Sequence, residues 1–363
     1  MTTKAESKIS ILNDTLINIF GESLNLARIK FIGLFITALC SAQTVCFEKL
    51  AICFDHKAKV NSSLRRIQRF ISEFNLDIDL IAKLIYSLLP HEPPYSIAMD
   101  RTNWKFGQTN INFLVIAIVY DGVAFPILFK LLPKFGNSST KERINLMNHY
   151  INLFGKDSIK FFLADREFIG EKWMKYLNKN KIKYHVRIRN NFIAFNKKNQ
   201  RKFNVSRLFS HLKCNQSDYY RHAFYFGKQK CFISGSLAKS KEGKPELQII
   251  VSFESQNIAQ NTYKQRWQIE TAFKALKTSG FNIEDTHLKN PDRIEKLLAL
   301  VLIAYTWSYK TGIFLNNTIP IKIKKHKRRA KSLFKYGLDY LANLIFRNEL
   351  DEFKVCCNFL SCT

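Results

Sequence analysis

Between residues 95 and 189 the sequence alternates apolar runs with helical stretches, in an order that few folds accommodate. YSIAMD (95–100), NFLVIAIVY (112–120) and VAFPILFKLL (123–132) are rich in β-branched and aromatic residues and read as three strands. Asp121-Gly122 is a hairpin turn signal between the second and third. Thr140 to Phe154 reads as a helix, IKFFLAD (159–165) as an apolar strand ending in an acid, Glu171 to Asn178 as a helix and IKYHVRIR (182–189) as a fifth strand. Strands this uniformly apolar are covered on both faces, so the expectation is a mixed α/β sheet crossed by helices.

The flanks read differently. Apolar residues recur at helical spacing from Ile9 through Leu50, and HEPP (91–94) breaks the pattern. Residues 1–90 are therefore expected to form a small helical domain. Within it, NSSLRRIQRFISEF offers Asn61, Ser62 or Ser63 as an N-cap, and Arg65, Arg66 and Arg69 gather on that helix beside Leu64, Ile67, Phe70 and Ile71. With a preceding helix at about 43–53 this fits a helix-turn-helix-like module; an ordinary surface helix with solvated arginines fits equally. Residues 191–254 are polar, basic and aromatic, with short strand-like runs (AFYFG, KCFISG, LQIIVSF), and read as a β-rich insertion. A helix is expected from about Gln260 to Thr278 and another after Asn290-Pro291. The layout is then 1–90 helical, 91–190 and 255–315 an interrupted α/β core, 191–254 the insertion and 316–363 a basic C-terminal region.

Charge narrows the partner. Lys and Arg number 57 against 29 Asp and Glu, a formal net charge of +28. Such an excess repels itself within a compact fold and suits a polyanion, nucleic acid first. The run IKIKKHKRRAK, with Lys324, Lys325, Lys327, Arg328 and Arg329, is either a solvated loop or a phosphate contact. A membrane surface would call for one amphipathic basic helix rather than basic residues along the whole chain. The apolar stretches Phe31–Cys40 and Leu297–Trp307 are shorter than the ~20 residues a bilayer requires and read as core helices. Eight cysteines without any C-x-x-C pair, and an N-terminus without a signal-like apolar run, suit reduced thiols in the cytoplasm.

The chemistry concentrates at three acids. Asp100 closes IAMD and Asp165 closes FFLAD, both at strand carboxyl ends, where α/β proteins place their sites; an acid after a strand is also a common turn residue. In YKQRWQIETAFKALK, Tyr263, Arg266, Glu270 and Lys277 fall within about 60° of one helix face at ~100° per residue, beside an apolar arc of Ile269, Ala272, Phe273 and Leu276. Taken alone, Arg266 and Glu270 could be an i,i+4 surface pair. Three carboxylates on two strands and a helix suit hard divalent cations, two of which at about 3.5–4 Å separation can activate a water or hydroxyl and stabilise a leaving oxygen. Arg266, Lys277 and Tyr263 would hold a neighbouring phosphate, and Arg166 would stand near DNA or in an ion pair.

In AMDRTNWKFG, ADREF and the complete Y-x2-R-x3-E-x6-K signature, the chain resembles the DDE-type bacterial insertion-sequence transposases of family four, over roughly residues 60–345. The resemblance implies an RNase H-like core and two Mg2+ ions, with Mn2+ as a substitute, on Asp100, Asp165 and Glu270. It implies cut-and-paste transposition: cleavage at terminal inverted repeats, then strand transfer into target DNA by a homodimer that bridges two ends. The N-terminal helices would read the repeats, which favours Arg65, Arg66 and Arg69 as DNA contacts, and the protein would work in a bacterial cytoplasm, at the nucleoid. Relatives use a tryptophan in the insertion to hold a flipped base beside a DNA hairpin; residues 191–254 contain none, leaving Tyr219, Tyr220, Phe224 or Tyr225 as stacking faces or core. Trp104, Trp173, Trp267, Trp307 and His185 read as core. A non-catalytic DNA-binding relic and a metal-dependent nuclease of the same fold are the competing readings.

Overall fold

The computed structural model describes residues 4–361 apart from 55–57, 90–91, 121, 197–200, 241, 256, 326 and 348. Asp121 of the expected hairpin turn, His91 of the HEPP break, His326 of the basic run and Cys362 lie outside the described residues. The chain opens with helices α1 (Lys4–Phe20), α2 (Leu26–Ala42), α3 (Phe47–Ile52), α4 (Val60–Glu73) and α5 (Ile78–Ser87). Then come β1 (Tyr95–Phe106), β2 (Thr109–Tyr120), β3 (Val123–Leu131), α6 (Thr140–Phe154), β4 (Ile159–Ala164), α7 (Glu171–Lys179) and β5 (Tyr184–Ile188). Short strands β6 (Ile193–Asn196), β7 (Arg201–Asn204), β8 (Gln216–Tyr219) and β9 (Phe224–Phe226) lead to β10 (Gln229–Lys239) and β11 (Pro245–Ser252). Helices α8 (Ala259–Lys264), α9 (Trp267–Lys277), α10 (Pro291–Thr318), α11 (Leu333–Phe346) and α12 (Leu350–Asn358) follow. The chain divides into two compact units: residues 1–90, 104–111 and 273–363 in one, 91–103 and 112–272 in the other.

The first unit is built around α10. Asn290 caps it, its side chain accepting from the Arg293 backbone N–H, and Pro291 takes the first turn, where its missing N–H costs nothing. The helix is long and apolar enough to cross a membrane, but 83% of its most apolar stretch is buried inside the protein, as expected of a core helix. α11 crosses it at a glycine pair: a Cβ on Gly312 would lie 1.9 Å from the Leu333 carbonyl oxygen, and one on Gly337 1.9 Å from that of Ser308. Such an approach of two backbones excludes every side chain. α4 starts one residue before the expected caps. Lys59 is its N-cap and makes no side-chain cap bond; Asn61 and Ser62 lie exposed within the first turn and Ser63 is buried, so the expected caps stand inside the helix instead of capping it.

In the second unit the sheet order is β3-β2-β1-β4-β5-β11-β10-β9-β6-β7, with β8 also pairing with β10. β1, β4 and β5 are parallel; β2–β3, β5–β11 and β10–β11 are antiparallel. β3 is an edge strand, which is why Pro126 is tolerated there; the register shifts beside it, Ile116 pairing with Leu128 and Ala117 with Pro126, so that Ile127 of β3 is the extra residue. LQIIVS lies in β11, which adds directly to β5, so the polar middle of the chain continues the main sheet. α6 begins at a capping box: Ser139 and Glu142 each bond the other's backbone N–H. β1 runs six residues beyond Asp100, to Phe106, where Gly107 at φ +56 turns it into β2. Asp100 therefore sits within a strand rather than at its end.

Candidate active site

The register of β1 against β4 brings two acids together. Their last paired residues are Met99 and Ala164, so Asp100 and Asp165 each follow the final couple of the parallel ladder. There β4 ends and the chain turns, the Phe168 N–H returning to the Asp165 carbonyl at 2.9 Å. Both carboxylates thus stand at the carboxyl end of the parallel strands, where neighbouring backbone no longer closes the sheet.

The third acid arrives on a broken helix. The expected continuous helix from 260 to 278 is divided at Gln265–Arg266, with N–H groups of Gln265, Arg266, Gln268 and Ile269 reaching back three residues instead of four. The break still lets the signature residues converge. Arg266 donates from Nη1 to Asp100 Oδ2 at 3.0 Å, from Nη2 to Glu270 Oε1 at 2.5 Å and from Nε to the Tyr263 hydroxyl at 3.1 Å. Tyr263 passes the chain of contacts on to Asp165 Oδ1 at 3.4 Å. One buried guanidinium and one phenol therefore connect all three carboxylates. Ile269, Ala272, Phe273 and Leu276 are buried as their apolar arc requires.

The segment carrying Tyr263 and Arg266 is fixed from behind. Gln260 is buried in α8; its Oε1 accepts from Ser236 Oγ and Gln248 Nε2, both at 3.0 Å, and its Nε2 donates to Ser234 Oγ at 3.1 Å. These partners lie on β10 and β11.

Burial pushes the Asp100 carboxyl up to about 6, against the pull of Arg266 and the Arg101 backbone N–H; the charges of Glu167 and Asp165 push the same way as burial. Burial also holds the Tyr263 hydroxyl above its usual range, keeping it a donor. One guanidinium facing three carboxylates leaves an excess of negative charge in a partly desolvated place. The donors are hard oxygens, so donor chemistry and electrostatics both fit a divalent cation such as Mg2+ or Mn2+. Among the described residues no three His, Cys, Asp or Glu side chains already stand together as a metal-holding group. Arg266 lies between Asp100 and Glu270, and a cation would take over part of its role.

Other expected site residues are placed differently. Lys277 belongs to the other unit, paired with Glu284 at 2.9 Å and 5.5 Å above the Trp104 ring, rather than joining the polar stripe as a free amine. Arg166 is exposed. Arg65, Arg66 and Arg69 are exposed on α4, with the Arg66 guanidinium 5.6 Å from the Phe54 ring. Lys324, Lys325, Lys327, Arg328 and Arg329 are exposed on a small hairpin closed by an Ile323–Arg329 bridge. Trp104, Trp173, Trp307 and His185 are buried, but Trp267 is 55% exposed, contrary to its reading as core: it opens α9 on the side away from the apolar arc. Phe224 is buried core, whereas Tyr219, Tyr220 and Tyr225 are half-buried.

Sequence reasoning overlooked Arg101. Its side chain pairs with both oxygens of Glu167, at 2.7 and 2.8 Å, and also bonds Asn112, the Gly136 carbonyl and Asn137. The available signal was its place beside Asp100 in AMDRT, mirrored by Glu167 two residues after Asp165 in ADREF.

No curated protein matches this chain. Among solved structures it is similar to a piggyBac transposase in a synaptic complex with hairpin DNA, at 12% identity and a TM-score of 0.44, over 95% of this chain and 78% of that one. It is also similar to an Argonaute from Marinitoga piezophila in complex with guide RNA and target DNA, at 12% identity and a TM-score of 0.22, over 57% of this chain and 29% of that one. The family described as "Transposase DDE domain" matches residues 91–307, which include Asp100, Asp165 and Glu270. That is more than half of the chain, and the protein belongs to this family of DNA-cleaving transposases.

Proposed function

We propose that this transposase moves an insertion sequence by cut-and-paste, and that Asp100, Asp165 and Glu270 hold two Mg2+ ions for it, with Mn2+ able to substitute. The observation that carries the reading is the joint placement of the three acids: two leave adjacent parallel strands after their last paired couple, and the third shares a guanidinium with the first. When bound, the ions supply an activated water or 3′-hydroxyl and stabilise the leaving oxygen. The chain's own part is to hold that charge in place. Arg266 and Tyr263 orient the carboxylates, and the guanidinium offers its planar donors to a backbone phosphate once the cations neutralise the acids. The Asp100 side chain is largely buried, which weakens the screening by water of the attraction between acid and cation.

The remaining expectations belong to the same reading: an RNase H-like core of the insertion-sequence family-four kind, and a homodimer bridging two transposon ends in a bacterial cytoplasm, at the nucleoid. Arg65, Arg66 and Arg69 contact the terminal inverted repeats, while Arg166, Lys277, Lys324, Lys325, Lys327, Arg328 and Arg329 contact phosphates. The net charge of +28 supports this assignment of the basic surface. With no tryptophan in 191–254 and Phe224 buried, the stacking face for a flipped base falls to Tyr219, Tyr220 or Tyr225.

The test uses labelled duplexes of the repeats flanking the gene, with wild type, Asp100→Ala and Glu270→Ala, in Mg2+ and in EDTA. Cleavage at the repeat boundary only by wild type in Mg2+, with binding retained in both variants, is the expected result. Cleavage by Glu270→Ala at the wild-type rate would remove the third acid from the assignment. A hairpin product would show that the insertion works without a tryptophan; nicked or blunt ends would show that it does not use that route.

A further inference from the structure

We infer that Arg101 and Glu167 are positioning residues, a clasp that fixes the spacing and orientation of the Asp100 and Asp165 carboxylates. The inference rests on the reading of those two acids as metal ligands. Arg101 follows Asp100 on β1, and Glu167 stands two residues after Asp165 in the turn that leaves β4. Parallel pairing stops at Met99 and Ala164, so backbone hydrogen bonds between these strands no longer hold the two chains where the acids emerge. The clasp supplies the missing tie. Arg101 Nε reaches Glu167 Oε1 at 2.7 Å and Nη2 reaches Oε2 at 2.8 Å, a bidentate fork on side chains that are 14% and 20% exposed.

The remaining donors of Arg101 are also engaged. Nη1 bonds Asn112 Oδ1 at 3.1 Å and the Gly136 carbonyl at 2.6 Å, and Nη2 bonds Asn137 Oδ1 at 2.9 Å. Asn112 Nδ2 in turn reaches the Lys134 and Gly136 carbonyls at 3.1 and 3.0 Å, so the loop after β3 backs the fork. A second arginine holds the same loop and turn. The buried Arg143 donates to Ser138 Oγ and to the Ser138 carbonyl, at 2.8 and 2.6 Å, and lies 4.9 Å from the ring of Phe168, next to Glu167. Two other roles are thereby disfavoured. A guanidinium has five N–H donors, and with all of Arg101's engaged none remains for a DNA phosphate. Glu167 turns both oxygens to the Arg101 fork, which disfavours it as a further metal ligand. Groups that orient ligands without touching the metal typically change its affinity by about 10- to 100-fold when lost.

The experiment titrates Mn2+ into the full chain by calorimetry, for wild type, Glu167→Gln, Arg101→Lys and Asp100→Asn, and measures repeat cleavage against Mn2+ concentration. Glu167→Gln and Arg101→Lys are expected to bind Mn2+ about 10- to 100-fold more weakly, and the Mn2+ concentration for half-maximal cleavage moves with the affinity. Cleavage at saturating Mn2+ returns to within a few-fold of wild type, and duplex binding in EDTA is unchanged. Lysine does not rescue, because one ammonium cannot reproduce the fork. A structural role alone would lower stability toward urea and leave the Mn2+ midpoint unmoved. Wild-type Mn2+ affinity in both folded variants overturns the clasp; so does a cleavage defect that saturating Mn2+ does not relieve. If Asp100→Asn binds Mn2+ as wild type does, the ligand reading itself fails, a result separate from failure of the clasp alone. Should Arg101→Lys and Glu167→Gln both unfold, Asn137→Ala carries the test. It removes one exposed anchor, and a midpoint shift of about two- to five-fold is expected; no shift overturns the proposal.

Discussion

Arg266→Gln is the substitution that most directly interrogates the site. It keeps most of the stem and an amide donor but deletes the charge shared by Asp100 and Glu270. The Asp100 side chain is 17% exposed, so its loss of a cation is felt nearly as that of a buried ion; Glu270, at 35%, is largely compensated by water. Removing one partner of a buried pair costs about 3–5 kcal/mol, and with only one of the two acids well buried the lower end, about 3 kcal/mol, is expected. At a urea dependence of about 2–3 kcal/mol per molar, the unfolding midpoint in EDTA falls by about 1 M. The same deletion leaves three carboxylates with no neutralising charge. Millimolar Mg2+ should then raise the midpoint of the variant by more than it raises that of wild type, because the cation takes the place the guanidinium held. The assay is urea unfolding followed by tryptophan fluorescence, which reports the sheet-bearing unit through the buried Trp173. An unchanged midpoint in EDTA, or a Mg2+ response no larger than that of wild type, refutes the reasoning.

Three further outcomes are expected. Burial lowers His185 to about 4, opposed by Glu254, so the unfolded chain takes a proton near 6.5 that the folded chain resists; stability is full above about 6.5 and falls by about 3 kcal/mol as pH drops through 4. His185→Phe should flatten that part of the pH–stability curve, and an unchanged slope assigns it elsewhere. Gly337→Ala places a Cβ 1.9 Å from a backbone carbonyl, with no flexible side chain to yield, and should cost more than the ~1–3 kcal/mol of ordinary overpacking; a melting temperature within a degree of wild type contradicts the crossing as described. Replacing Arg65, Arg66 and Arg69 together by Gln should reduce the slope of log affinity for repeat DNA against log salt by up to about 3, roughly 0.9 per lost phosphate contact, and a slope equal to wild type removes α4 from the interface.

The strand runs between 95 and 188 were legible because their side chains are apolar on both faces, and burial on both faces is what the sheet gives them. The extension of β1 to Phe106 was not, since NWKF is amphipathic and polar and its partner strand is recruited by a turn at a single glycine. The three acids could be picked out as residues. Their convergence depends on a register, Met99 opposite Ala164, that no local pattern encodes. Periodicity placed Tyr263, Arg266 and Glu270 on one face, yet they meet through a break at Gln265–Arg266 that an unbroken helix would not contain. The pairing of Lys277 with Glu284, seven residues away on a different element, was not legible either, since no helical spacing encodes it. Arg101 escaped notice because an arginine beside an acid looks like a local counter-ion, and only tertiary structure brings Glu167, Asn112 and the 136–137 loop around it.

The rivets from Gln260 to β10 and β11 make the middle of the chain a poor exchangeable cassette. A graft that replaced residues 191–254 with the corresponding stretch of another transposase would keep its own strands and still strip Gln260 of Ser234, Ser236 and Gln248. The segment presenting Tyr263 and Arg266 would lose its backing although no residue touching the acids had changed. Chimeras intended to alter end recognition should therefore retain those three polar positions. Length variation belongs at the tip between β10 and β11, where the Gly243 N–H returns to the Ser240 carbonyl, well along the chain from Ser234, Ser236 and Gln248.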